Sequence, residues 1–189
     1  MRLLKILAVL AAFPLAANAA PWVINHEASQ ITFKVGYLNG AKLNVVFPDY
    51  EAKIDFDPRH PENAKALITV QTASADSRLA PVDSLIRSAD YLDSAGFPTI
   101  TFALGGLKKT SLSTADLDGE ITVRGITHPI HLKANVYKFD PFADDPANRV
   151  AAFEILGTLD RAAFGSTAGA PEIETLLPIR ILLEIRPAG

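Results

Sequence analysis

"HPIHLKANVYKF" (residues 128–139) alternates along most of its length. Ile130, Leu132, Ala134 and Val136 fall on one parity, with His131, Lys133 and Asn135 between them. Side chains on an extended backbone point to opposite faces in turn, so this spacing predicts a strand with one apolar face and one wet face. A helix would need its apolar residues every three to four positions instead.

The same period of two continues outward in both directions. Towards the N-terminus, "GEITVRG" (119–125) carries Ile121 and Val123, and "FPTITFAL" (97–104) carries Ile100, Phe102 and Leu104. Further back, "KALITVQT" (65–72) is β-branched, "YEAKIDFD" (50–57) alternates through Ile54 and Phe56, and "QITFKVG" (30–36) through Ile31, Phe33 and Val35. Towards the C-terminus, "VAAFEILGTLD" (150–160) and "LPIRILLEI" (177–185) complete a set of eight. Turn-forming groups separate them: Phe47-Pro48-Asp49, Asp57-Pro58-Arg59-His60-Pro61, Gly105-Gly106, Arg124-Gly125 and Phe142-Ala143-Asp144-Asp145-Pro146. Asp118-Gly119 reads either as a hairpin turn or as a bulge. The expected class is all-β, with eight antiparallel strands forming a sandwich or a barrel; closure into a barrel leaves no exposed edges.

Two places depart from the strand pattern. Residues 78–93 read as a helical insertion, with Leu85, Ile86 and Leu92 apolar and Ser88 placed as an N-cap before Ala89-Asp90-Tyr91. "DRAAFGS" (160–166) reads as one helical turn after a strand.

The chain has 189 residues and divides into an export signal and one domain. Residues 1–19 carry Arg2 and Lys5, then an apolar run, then Ala17-Asn18-Ala19 as a small-x-small cleavage site. That is the layout of a secretory signal peptide, and the apolar run is too short to span a bilayer. Residues 20–189 form the single domain, expected to be soluble and exported to the periplasm. With no cysteine, the chain has no disulfide, thiolate nucleophile, cysteine metal site or lipidated N-terminal cysteine. A net charge of −3 with no long basic run points away from nucleic acid and anionic membrane surfaces as partners.

No catalytic constellation is legible. His128 and His131 lie three apart on a strand and face opposite sides, so they cannot share a metal, and His60 sits between turn residues. No G-x-S-x-G elbow and no glycine-rich phosphate loop is present. The reading is therefore a non-enzyme with no cofactor. What remains is an apolar inner face, which a barrel either packs solid or opens around a ligand; the residues alone leave both open.

The stretch "LIRSADYLDSAGFPTITF" (85–102) resembles the signature of the YceI family, through Arg87, Ser88, Asp90, Asp93, Pro98 and Phe102. The resemblance continues in order through "HEASQITFKV" (His26, Ser29, Ile31, Phe33), "LDGEITVRGITHPIHLKANV" (Gly119, Gly125, Thr127, Pro129, Leu132) and "FEILGTLDRAAFG" (Arg161, Phe164, Gly165). It implies an extended lipocalin-like barrel in the bacterial periplasm. Such a barrel would hold a long amphiphile, a polyisoprenoid or isoprenoid quinone, in an elongated internal pore. The chain departs from the family pattern at "GYLNGAKLNVVF" (36–47), where only Lys42 is basic, and at "APVDS" (80–84), so the resemblance carries no head-group preference.

Pore-lining candidates on the strands are Phe33, Val35, Ile54, Phe56, Ile100, Phe102, Ile121, Val123, Ile130, Leu132, Phe153 and Ile155. Leu85, Tyr91, Leu92 and Phe97 join them from the insertion, which is expected to act as a lid. Arg87, Ser88 and Asp90 are candidate head-group or lid contacts. The preferred reading of Arg87 is nevertheless structural, as an ion pair with Asp90, and that of Arg161 as one with Asp160. The functional expectation is a lipid carrier; its competitor is a ligand-free structural or stress-related barrel that partners a membrane redox protein. A homodimer is compatible with either.

Overall fold

The computed structural model describes residues 21–37 and 39–188. The expected signal peptide lies outside the described residues. Ten strands form one antiparallel sheet: β1 (Trp22–Ile24), β2 (Gln30–Gly36), β3 (Lys42–Phe47), β4 (Tyr50–Asp55), β5 (Lys65–Gln71), β6 (Thr99–Lys109), β7 (Thr114–Val123), β8 (Ile126–Asp140), β9 (Val150–Asp160) and β10 (Leu176–Pro187). Their order is β3-β2-β10-β9-β8-β7-β6-β5-β4, with β1 pairing the far end of β10.

All eight expected strands are present. The two additions are β1, with only three residues to display a period, and β3, which lies within the stretch 36–47 that departs from the family pattern. β3 alternates all the same, burying Val45 and Phe47 and half-burying Leu43. Its short run follows the Asn39-Gly40 turn and ends at Pro48, which masked the pattern.

The barrel is not sealed by a continuous ladder. β3 and β4 are the two ends of the strand path, joined by the Pro48-Asp49 turn, and no register links them among the described residues. Two other devices cover the seam. Asp76 bridges the outer edge of β3, exchanging backbone bonds with Val46 at 2.8 and 2.9 Å. Trp22 of β1 meets Phe56 beyond β4 edge-to-face at 5.4 Å, and Phe56 meets Phe153 at 6.2 Å. An exposed edge invites pairing with another chain, and both devices reduce it.

The turns follow their chemistry. Arg124 (φ 51°) and Gly125 (φ 72°) form the two-residue loop between Val123 and Ile126, where both central residues need positive φ. Gly105-Gly106, expected as a turn, instead lies inside β6 as a bulge between Leu104 and Gly106. Asp118-Gly119 lies mid-strand in β7 opposite that bulge.

The helical insertion is shorter than expected. α1 spans Ala80–Arg87, with Pro81 in its first turn, and residues 88–97 continue as turns. Ser88 sits at the C-terminal end of α1, not the N-terminal one, and its hydroxyl donates to the Leu85 carbonyl at 2.7 Å. At the start of the helix, Asp83 accepts from the Ser77 backbone N–H at 2.7 Å. The expected turn after β9 is present as a short 3₁₀ segment, Arg161–Phe164, ended by Gly165 at φ 74°.

Candidate functional site

The inward faces of the strands surround an apolar cavity of about 320 Å³, with a second compartment of about 100 Å³ towards α1. The interior is thus an open space and not a solid core. Phe33 from β2 and Ile100 from β6 line both compartments and form the partition between them. The Phe47 ring packs against Phe33 in a T-shaped arrangement, at 5.5 Å between centroids.

The structure distributes the pore-lining candidates over this space. Phe33, Ile54, Phe56, Ile100 and Phe102 line the larger compartment, as do Ile121, Ile130, Leu132, Phe153 and Ile155. Val35, Leu85, Tyr91, Leu92 and Val123 line the smaller one. Phe97 lines neither and packs behind the wall. A side chain at Gly125 would come within 3.0 Å of its ring, and its carbonyl accepts from Thr72 at 3.0 Å.

The three head-group or lid candidates also line neither compartment. Arg87 donates to the Ala75 carbonyl at 2.6 Å, and its Nε is buried without a partner; no ion pair joins it to Asp90. Ser88 closes the helix end as described, and Asp90 is exposed. The insertion is held over the barrel by Arg124, whose guanidinium donates to the carbonyls of Ala89 and Tyr91, both at 2.7 Å.

Arg161 also differs from its expected pairing. It is 6% exposed and has no carboxylate partner. Its donors go to four carbonyls of the β9–β10 loop: Glu174 at 3.1 Å, Ser166 at 2.6 Å, and Ala168 and Ile173 both at 2.9 Å. The Tyr91 ring lies 5.6 Å from the guanidinium carbon. Burial pushes its pKa down, opposed by Tyr91 and Asp160. Asp160 itself caps the 3₁₀ turn, accepting from Ala162 N at 3.0 Å. Residues 161–175 thereby become a clasp beside the smaller compartment, which Arg161 lines together with Ser166.

The polar lining of the larger compartment was not legible beforehand. Arg59, Lys65 and Lys109 line its other end, contributed by the β4–β5 connection, the start of β5 and the end of β6. Neither compartment has an Asp or Glu in its lining, so its only formal charges are positive. The cavity reaches solvent at this end, because its lining includes the fully exposed Leu112. Between the two ends, Tyr50 is the notable polar residue: its hydroxyl is buried without a hydrogen-bond partner. Burial raises its pKa above the ordinary tyrosine value, and the neighbouring Ser29 hydroxyl opposes this.

His128 and His131 do face opposite ways. His128 lies against Phe164 and within 3.2 Å of the Ala163 carbonyl, while His131 pairs with Asp118 on the exposed face. Among the described residues no group of three or more His, Asp or Glu is placed to hold a metal ion. No described helix is long and apolar enough to cross a membrane.

Known proteins share this architecture. The chain is 35% identical over 164 residues to a UPF0312 protein of Ectopseudomonas mendocina, covering 85% of this chain and 84% of the relative. Its fold is similar to that of BcnA from Burkholderia cenocepacia, with a TM-score of 0.76 at 17% identity over 85% of this chain and 98% of the other. It is also similar in fold to a structure described as a polyisoprenoid binding domain from Saccharophagus degradans. There the TM-score is 0.66 at 13% identity, over 89% of this chain and 99% of that domain. The family model described as a YceI-like domain matches residues 22–185, which is almost the whole described barrel, and the chain belongs to that family.

Proposed function

We propose that the protein is a carrier that encloses the tail of a long-chain amphiphile, of the polyisoprenoid or isoprenoid-quinone class, inside the barrel. The observation that carries this reading is the run of apolar side chains from the solvent-reaching end, past the Phe33–Ile100 partition, to the compartment beside α1. An elongated apolar space whose solvent-reaching end is lined by three cations suits a molecule with a long apolar tail and a single polar head. Arg59, Lys65 and Lys109 orient the head towards the open end. The fold shared with the Saccharophagus polyisoprenoid binding domain supports the ligand class.

The energetics permit it. A tail of about 20 carbons at ~0.8 kcal/mol per buried CH₂ gives a gross gain near 16 kcal/mol. Lost rigid-body freedom and tail ordering cost on the order of 4–15 kcal/mol. The tail supplies affinity, and the head sets direction. Residues 1–19 would deliver the protein to the periplasm, where an apolar cargo crossing water needs a covered path.

The test is organic extraction of the natively purified protein followed by mass spectrometry, with uptake of added quinone and polyprenol measured in parallel. A co-purified isoprenoid, with uptake reduced in Phe102→Asp, is the expected result, because a carboxylate in the wall cannot be desolvated against a hydrocarbon tail. Absence of any bound amphiphile together with no uptake by the wild type would refute the carrier reading. Recovery of the protein from cytoplasmic instead of periplasmic extract would refute the export part alone.

A further inference from the structure

One buried polar group inside the barrel is left unused by the fold. Tyr50, at the start of β4, is 6% exposed and lines the larger compartment, and its hydroxyl has no hydrogen-bond partner among the described residues. Ser29 lines the same compartment and neighbours that hydroxyl. Its own oxygen is engaged with the backbone, accepting from Glu184 N at 2.9 Å and donating to the Glu184 carbonyl at 3.4 Å. The Tyr50 hydroxyl therefore sits between two lining residues, at the wall of the cavity. The His26 ring lies against the Tyr50 ring at 4.8 Å between centroids and holds the phenol in place.

A buried hydroxyl without a partner is costly, and phenylalanine would fill the same space without that cost. Its depth in the cavity is also specific. Tyr50 pairs with Val70, and Val70 pairs with Ile100 of the partition. The other polar side chains of this lining, Arg59, Lys65, Lys109, Ser111 and Thr114, belong to the solvent-reaching end. Lys65 and Val70 open and nearly close β5, so at ~3.3 Å per residue about 17 Å separates the level of Lys65 from that of Tyr50. Ile68 and Phe102 line the wall between the two levels. Burial raises the pKa of the phenol, so at neutral pH it keeps its proton and acts as a donor.

We propose that Tyr50 is a binding station for a neutral oxygen acceptor, a carbonyl, ether or ester, carried on the tail of the cargo well away from its head. The acceptor is neutral because no cation lines the cavity at that depth. A phosphate or carboxylate would give up its hydration against Ile31, Val70 and Ile100 and regain a single hydrogen bond. An uninterrupted hydrocarbon leaves the hydroxyl orphaned, whereas an oxygen at this level satisfies it. The station thus selects among tails, while the cations at the solvent-reaching end meet the head. The inference rests on the carrier reading, which puts a tail in this compartment.

The experiment is calorimetric titration of the delipidated mature protein with octadecanoic acid and two of its ketones. The 12-oxo acid carries its oxygen deep along the tail, and the 5-oxo acid carries the same group near the head. Wild type should bind the 12-oxo acid on the order of tenfold more tightly than the 5-oxo acid, the scale of one hydrogen bond to a buried group. Tyr50→Phe keeps the ring against His26. It should unfold no earlier on heating, bind octadecanoic acid at least as tightly, and bind the two oxo acids alike. Infrared spectroscopy of a carbon-13-labelled 12-oxo group gives a readout that a packing role would not move: the bound C=O stretch should lie at lower wavenumber in wild type than in Tyr50→Phe. Equal affinity for the two oxo acids in wild type, a preference that survives in Tyr50→Phe, or the same carbonyl stretch in both proteins overturns the proposal. So does a clear loss of stability in Tyr50→Phe, since that assigns the hydroxyl to the fold. A wild type that takes up polyprenol and all three acids without preference refutes the station alone; one that takes up none of them refutes the carrier reading as well.

Discussion

Replacing Arg161 separates two accounts of the closed end of the barrel. If its role were an ion pair with Asp160, lysine would largely substitute for it, and salt would weaken the wild type. The structure gives it a different task. Four loop carbonyls, from Ser166, Ala168, Ile173 and Glu174, share one buried guanidinium, which presents its donors in a fixed planar fork. A charged-donor hydrogen bond contributes about 1.5–3 kcal/mol, and an orphaned buried carbonyl costs about 1–3 kcal/mol. Four such bonds give a gross loss well above 4 kcal/mol, but the loop can relax and admit water once the side chain is gone. We therefore expect Arg161→Ala to lose about 3–5 kcal/mol, the range for breaking a buried charged network. Arg161→Lys should recover less than half of this, because an ammonium cannot span four carbonyls. Urea denaturation of wild type and both variants, at low and high salt, reads the outcome. Near-wild-type stability in Arg161→Lys, a loss under about 1 kcal/mol in Arg161→Ala, or strong salt dependence would refute the reasoning.

Three further outcomes follow from particular contacts. Gly119→Ala places a Cβ 2.5 Å from the Ala103 carbonyl oxygen, a backbone atom of the facing strand that cannot turn aside, and should cost about 1–3 kcal/mol in thermal or urea unfolding. Phe33→Ala removes the partition between the compartments. We expect about 3–5 kcal/mol lower stability and, by native mass spectrometry with mixed polyprenols, a shift of the bound population to longer chains; an unchanged length profile in the folded variant would count against the partition. Glu184 accepts from Asn25 Nδ2 and Arg186 Nε, both at 2.8 Å, and these bonds hold its carboxyl below the usual glutamate value. A depressed carboxyl stabilises the folded state above the unfolded-state pKa, and that contribution is lost as pH falls through the lower folded value. Stability measured from neutral pH downward should therefore fall less steeply in Glu184→Gln than in wild type below about pH 4.5.

Much of the fold is written locally. The alternation in "QITFKVG" is reproduced by β2 with the same boundaries, because a strand with one buried face needs only its own period to declare itself; "VAAFEILGTLD" keeps its bounds in β9, but Val150, Ala151 and Ala152 are buried on both faces. Arg124-Gly125 specifies its hairpin for the same reason, the required positive φ being a property of two residues. The resemblance across 85–102 likewise located the insertion that covers one end of the barrel. Local reading failed where the environment chose among roles. Ser88 suits either end of a helix, and the hydrogen bonding of Asp83 and Ser77 placed the start of α1 upstream.

The sequence by itself determined eight of the ten strands, most of their inward faces and the family. Tertiary structure decided what those faces enclose. Whether inward side chains meet or leave a space depends on the diameter of the curled sheet, which follows from strand number and stagger and from no single strand. The same curvature brings Arg59, Lys65 and Lys109, far apart in the chain, to one end of the cavity. It leaves Leu112 in solvent beside them and sets the Arg161 guanidinium among carbonyls up to thirteen residues away. Periodicity tells a side chain which way to point; only the closed geometry supplies what it points at.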